Sequence, residues 1–375
     1  MRGRGGCHRK SIILTDTLVP DAANLPNIHR ILVVKLRHHG DVLLTSPVFT
    51  VLRNRIPAAE IDALVYGETR DMLEGHPAVS RIHAIDRGWK RQGLALQAHR
   101  ELALLQDLRE RRYNLVVHLT GHWRGAWLAQ ALRPRYSVAP ARASRWWGWS
   151  FSHQYPSPKA RPRHMVESNL DALRRIGIYP EENEKSLVMV PGTEAESRID
   201  GMLAAEGIAA KGFIQVHPTS RWLFKTWTDA KNAAFLRALV ADGHRVVVTG
   251  APDAKEREIL ARIVAEAGVP VTDFSGKLTL REMAALSSRA RLFFGVDSAP
   301  MHIAAAVGTP VVALFGPSGE HEWGPWRAPH RVVTSTHPCR PCGNDGCGGG
   351  KVSECITLLP VEQVRSAVNE LLSQR

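Results

Sequence analysis

At 375 residues, with 44% hydrophobic and 23% charged side chains, the chain is too long for one ordinary core and apolar enough to bury two, which excludes disorder as the default. The formal charge of +13 favours anionic partners, because clustered Lys and Arg concentrate phosphate-bearing ligands, but it does not choose among nucleic acid, nucleotide and phosphorylated glycolipid. No run approaches the roughly 20 apolar residues that span a bilayer. The apolar stretch Ile12 to Leu14 is too short for a signal peptide, so the expected location is the cytoplasm.

Residues 1–28 lack periodicity and read as a flexible N-terminal extension. An apolar run at 31–36 then leads into His38-His39-Gly40-Asp41 and a helical pattern from Val42 to Leu52, which is strand, turn, helix. The same grammar recurs at 61–66, 115–119 and 136–138, with a long helix over 94–112. After Pro180 the chain turns polar, which places a domain boundary at 180–195 and gives domains over 29–190 and 191–375. In the second half strands are expected at 213–216, 245–249, 292–294 and 310–315, and helices near 228–241, 253–267 and 298–307. A last helix over 360–372 is expected to pack back across the boundary. Strands alternating with helices imply parallel sheets covered on both faces, with ligands at the carboxyl ends of the strands.

The residues able to do chemistry lie just after strands. Asp41 reads either as a helix N-cap or as a carboxylate facing the cleft and able to take a proton from an acceptor hydroxyl; Gly40 lets the backbone turn in both cases. Thr219, Ser220 and Lys225, in a loop carrying Trp222 and Trp227, offer hydroxyls and a positive charge to a diphosphate, although a loop lysine also suits plain solvation. Ser298 and Ala299 open a helix whose N–H groups favour a phosphate, with Pro300 suited to its first turn. Asp297 reads as a sugar-hydroxyl partner or as a further N-cap, and Asp253 or Glu256 as ribose partners or as ordinary first-turn acids. Cys339, Cys342, Cys347 and Cys355, in a Cys-rich loop over 337–356, are open to three readings: a structural zinc site, reduced thiols, or disulfides.

The segments Lys35-Leu36-Arg37-His38-His39-Gly40-Asp41-Val42, Lys225-Thr226-Trp227 and Gly295-Val296-Asp297-Ser298-Ala299-Pro300-Met301-His302 together resemble the lipopolysaccharide heptosyltransferases of glycosyltransferase family 9, in that family's order. The resemblance covers nearly everything after residue 28, and the His-His-Gly-Asp opening with the Cys-rich tail is similar to the branch that adds the third inner-core heptose. It implies an α/β GT-B fold, with two Rossmann-like domains whose parallel sheets face a central cleft, the first binding acceptor and the second an ADP-sugar. It further implies ADP-heptose as donor, inversion at the anomeric carbon, and no cofactor or catalytic metal. By the same resemblance Asp41 is the general base and Lys225 the phosphate-neutralising lysine. Asp297, Ser298 and Ala299 form the donor-binding turn, and His302 is a motif histidine. The position aligned with the family's ribose-binding acid is Ala254, which leaves Asp253 and Glu256 as stand-ins.

The stretch 87–163 is dense in arginine, from Arg87 through Arg142, Arg145 and Arg163, and includes Lys90, Lys159 and Arg161 around Trp146-Trp147-Gly148-Trp149. It suits a phosphorylated glycolipid at the inner-membrane surface, or simply a solvated basic face over core tryptophans. Two rival functions remain: a GT-B sugar transferase or epimerase using a uridine-diphosphate sugar, and a basic nucleic-acid-binding protein. No recognised nucleic-acid motif supports the second, so nucleic acid is not an expected partner. A dinucleotide-binding dehydrogenase is disfavoured because the first turn lacks the three-glycine fingerprint.

Overall fold

The computed structural model describes residues 27–157 and 163–374 and contains two six-stranded, wholly parallel sheets. The first comprises β1 (Arg30–Val34), β2 (Glu60–Tyr66), β3 (Arg81–Ile85), β4 (Leu115–His118), β5 (Tyr136–Pro140) and β6 (His153–Tyr155), in the order β3-β2-β1-β4-β5-β6. The second comprises β7 (Phe213–His217), β8 (Arg245–Val248), β9 (Thr272–Asp273), β10 (Leu292–Val296), β11 (Val311–Leu314) and β12 (His330–Val333), in the order β12-β11-β10-β7-β8-β9. Each half therefore repeats the doubly wound order, in which the first strand sits at the centre and the winding reverses beside it. The reversals fall between β1 and β4, and between β7 and β10, where Val34 pairs with His118 and His217 with Gly295.

The burial of the central strands explains their near-continuous apolar sequence. Along β1, Ile31 and Val33 enter one core while Leu32 and Val34 enter another on the opposite face. Along β10, Phe294 packs on Phe235 at 4.4 Å between ring centroids, while Phe293 faces a separate cluster with Met301 and Phe315. Each fully buried Phe of this kind stabilises the fold by about 1.5–3 kcal/mol.

All eight strands expected from sequence are present, and the four not expected are β3, β6, β9 and β12. These four are the edges of the two sheets. An edge strand is covered on fewer sides, and Arg81–Ile85 and His330–Val333 accordingly mix exposed and buried positions rather than forming an apolar run.

Of the expected N-terminal extension, residues 1–26 lie outside the described residues, whereas Ile28 is buried in the first core. The last helix, Val361–Ser373, does not cross between the halves. It buries Val364, Ala367, Val368 and Leu371 in the core of the second sheet, and Arg365 bonds Asp242. Its apolar stripe packs on β11, β12 and the helix Asp229–Ala241, all in the second half. The halves are joined elsewhere: Trp326 Nε1 donates to the Lys185 carbonyl at 2.7 Å, the His164 ring stacks on Trp326, and Met283, Ala284 and Ile303 share the first half's core.

Candidate active site

The turn after β1 is anchored by Lys35, which is buried and donates from Nζ to Leu119 O at 3.3 Å and Asn169 Oδ1 at 3.0 Å. Asn169 in turn donates to Leu44 O at 3.0 Å. Burial lowers the Lys35 ammonium to about 8, with Arg37 adding to the fall and Asp41 opposing it. Beyond it begins the helix His39–Leu43, with His38 at the N-cap position and no side chain capping it. Asp41 lies half-buried in the first turn and is not the N-cap, so the capping role that its sequence position allowed is not taken up.

At Gly40 the two halves approach each other closely. A Cβ placed on it would lie 2.8 Å from His302 Cδ2 and 3.8 Å from Ala299 Cα, so only a glycine admits the approach without movement of the ring. His302 belongs to the helix Ala299–Ala306, is buried, and has an Nδ1 without a hydrogen-bond partner. Burial holds it neutral by lowering it to about 4; Asp297 and Asp41 act in the opposite direction, while His164 and Lys225 lower it further. One buried ring thus lies within electrostatic reach of Asp41 from the first half and of Asp297 and Lys225 from the second.

Lys225 and Asp297 form an ion pair, Nζ to Oδ2, at 2.5 Å. Lys225 closes the short 3₁₀ turn Leu223–Lys225 after β7, and Asp297 follows β10, so the pair bridges the second sheet's reversal of winding. Asp297 is consequently not an N-cap. Ser298 occupies that position but turns its hydroxyl back to donate to Val296 O at 3.2 Å, and no side chain caps the helix. The first-turn N–H groups at Ala299 therefore point out beside a lysine, an arrangement that attracts an anion.

Thr219 and Glu256 make a second pair nearby, with Thr219 Oγ1 donating to Glu256 Oε2 at 3.0 Å. Both are buried, and desolvation raises the Glu256 carboxyl, helped by the neighbouring charge of Asp253. Asp253 takes the plainer of its two roles, accepting from the N–H groups of Lys255 and Glu256 at 3.0 and 3.2 Å as the cap of Ala254–Ala267. Ser220 is buried and accepts from Trp222 N at 3.2 Å. At the rim, His38 and Trp222 meet edge-on from opposite halves at 6.3 Å, and Arg221 lies over the Trp222 ring.

The structure therefore gathers Gly40, Asp41, Lys225, Asp297, Ser298, Ala299 and His302 about one point, with Thr219 and Glu256 along the adjoining loops. Lys35 was not singled out from sequence; the signal available was a lysine at the end of an apolar strand, where a charge needs buried partners. Of the three readings left open for the cysteine loop, the structure shows all four of its cysteines as free thiols. Cys339, Cys342 and Cys347 are exposed, whereas Cys355 is buried against Gly316 and Ile356, and its thiol is pushed up to about 11 by desolvation. Among the described residues no group of three or more His, Cys, Asp or Glu is placed to hold a metal ion, and no helix is long and apolar enough to cross a membrane. Lys159 and Arg161 lie outside the described residues.

Residues 101–352 match the family model described as glycosyltransferase family 9 (heptosyltransferase). The lipopolysaccharide heptosyltransferase 3 of Escherichia coli is 35% identical over 295 residues, covering 78% of this chain and 84% of that one. Among solved structures, a family 9 glycosyl transferase from Veillonella parvula superposes with a TM-score of 0.77 at 21% identity, over 92% of this chain and 98% of that one. The ADP-heptose lps heptosyltransferase II of E. coli superposes with a TM-score of 0.70 at 21% identity, over 92% and 99%. Both likenesses extend across the two sheets, so the GT-B arrangement expected from the sequence is the fold of this chain.

Proposed function

This chain belongs to glycosyltransferase family 9, the heptosyltransferases, and from that footing we propose that it transfers L-glycero-D-manno-heptose from ADP-heptose to the inner core of lipopolysaccharide, adding the third heptose onto the second. The observation that carries the reading is the convergence on His302, which Gly40 and the half-buried carboxylate of Asp41 approach from one half, and Lys225 and the uncapped helix N-terminus from the other.

The chemistry follows from that opposition. Asp41 accepts the proton of an acceptor hydroxyl as its oxygen attacks the anomeric carbon from the face opposite the departing ADP. The new carbon–oxygen bond forms as the bond to the diphosphate oxygen breaks, and ADP leaves with the electron pair, so one displacement inverts the centre. Lys225 exchanges part of its contact with Asp297 for the diphosphate. Together with the N–H groups at Ser298 and Ala299, it stabilises the charge that accumulates on the leaving group. Thr219 and Ser220 lie along the same loop for the phosphates, and Glu256, rather than the capping Asp253, is the acid left to meet the ribose hydroxyls. The first half takes the acceptor and the second the donor. The acceptor is a glycolipid, and the enzyme works as a peripheral protein on the cytoplasmic face of the inner membrane.

The test is mass-spectrometric detection of heptose transfer from ADP-heptose to purified inner-core acceptors that end before or after the second heptose, beside a panel of uridine-diphosphate sugars. A gain of one heptose on the longer acceptor alone, lost in Asp41→Ala, is the expected result. Transfer from a uridine donor, or none by folded protein, overturns the assignment.

A further inference from the structure

Six of the ten large hydrophobic side chains exposed among the described residues fall within 94–149, on three helices that follow consecutive strands of the first sheet. Leu94 and Leu102 lie on Leu94–Glu110, Trp123 and Trp127 on Trp123–Leu132, and Trp149 on Arg145–Ser150. Trp127 is 67% and Trp149 71% exposed, where a soluble fold gains nothing by leaving an indole in water.

These rings form one surface. Trp146 contacts both Trp123 and Trp127, at 5.4 and 5.0 Å between centroids, and Gln130 donates to Trp149 O at 3.1 Å, tying the second helix to the third. Cations are interleaved with the rings: the Arg142 guanidinium lies 5.0 Å from the Trp123 ring and that of Arg145 5.2 Å from Trp149. Residues 87–149 hold twelve Lys and Arg against Glu101, Asp107 and Glu110, a formal +9 of the chain's +13. Indoles that seek a boundary between apolar and polar phases, set among arginines, match the headgroup layer of an anionic bilayer. A second copy of this chain would meet the same positive field with its own.

The surface is also continuous with the site. Arg142 bonds the carbonyl of Gly121 in the loop after β4, and β4 lies beside β1, whose following turn bears Asp41. We infer that the face made by Trp123, Trp127, Trp149, Arg142 and Arg145 seats this protein on anionic phospholipid, so that the site opens at the membrane surface where a lipid-anchored acceptor stands. This inference rests on the glycolipid acceptor proposed above.

The experiment is co-sedimentation of the full chain with vesicles of phosphatidylglycerol and phosphatidylcholine, and with phosphatidylcholine alone, beside ADP release on a delipidated inner-core oligosaccharide. Binding to the anionic vesicles is expected, weakened by salt. It should fall about thirtyfold in Arg142→Gln/Arg145→Gln, the worth of two basic residues near such a surface, and by about tenfold or more in Trp127→Ala/Trp149→Ala. Turnover of the delipidated acceptor should stay at the wild-type level in both. Vesicle binding equal to wild type in both variants overturns the inference. So does an absence of binding by wild type together with a dimer that the Trp variant dissociates, which assigns the face to a second copy. Loss of turnover by wild type itself would instead count against the proposed function, leaving the vesicle result to stand separately.

Discussion

Replacing Lys225 by Met removes its charge and leaves most of its stem, which separates the two tasks the lysine has in this structure. Its side chain is 20% exposed and that of Asp297 7%, so their 2.5 Å contact is largely withdrawn from water. Orphaning a fully buried carboxylate costs about 3–5 kcal/mol; with the partial access of water here, the loss should be about 1–3 kcal/mol. Withdrawing one positive charge from a leaving diphosphate costs about 3–4 kcal/mol of transition-state stabilisation, a hundred- to thousandfold fall in kcat. Adding Asp297→Asn to Lys225→Met removes the orphaned charge, so urea unfolding should return to within about 0.5 kcal/mol of wild type, while ADP release under saturating substrates stays depressed. Recovery of kcat by tenfold or more in the double variant would mean that Lys225 serves only to neutralise Asp297. Wild-type kcat in Lys225→Met alone would remove the lysine from the mechanism altogether.

Asp41→Asn keeps the shape of the first turn and removes the base; kcat should drop by about 10²–10⁴ with the donor KM within a fewfold of wild type, and an undiminished kcat in steady-state assays would rule Asp41 out. Gly40→Ala sets a methyl 2.8 Å from the buried His302 ring. Overpacking of this kind costs about 1–3 kcal/mol, and kcat/KM for the donor should fall about ten- to hundredfold, whereas unchanged kinetics would show that the two halves need not approach so closely during turnover. Acid should destabilise the fold well before the carboxylates titrate. His76, His164, His217 and His302 are lowered to about 4, and His118 to about 3, chiefly by burial, from an ordinary 6.5. The unfolded chain therefore binds more protons below pH 6.5, and the stability these rings contribute is complete above that pH and lost as pH falls towards 4, by up to about 1.4 kcal/mol per pH unit for each ring. A melting temperature that stays level from pH 6.5 to 5 would contradict this.

Much of the fold was legible because the central strands bury both faces, and burial on both faces writes itself into sequence as an unbroken apolar run. Ile31 to Val34 and Leu292 to Val296 are runs of this kind, and the turns after them carry Asp41 and Asp297. The edge strands β3, β6, β9 and β12 lack that signature, since a strand open on one side can alternate exposed and buried residues like a loop. Local sequence thus determined which segments are central strands and which turns follow them, together with the motifs that place the chain in its family.

Tertiary structure decided how those turns meet. Lys225 and Asp297 are separated by 72 residues, and Thr219 and Glu256 by 37; each pair forms because the strands before its loops are neighbours in a sheet wound in both directions from its centre. The contact of Gly40 with His302 joins different sheets altogether. The same holds for roles that sequence left open: Asp253 caps a helix while Asp41 and Asp297 do not. Each of the three is an acid beside a helix start: Asp253 is held by the N–H groups of its own helix, Asp297 by Lys225 from a distant loop, and Asp41 lies within the first turn rather than capping it. Local periodicity records how deeply a residue is buried; the identity of its neighbour is set by the order of the strands.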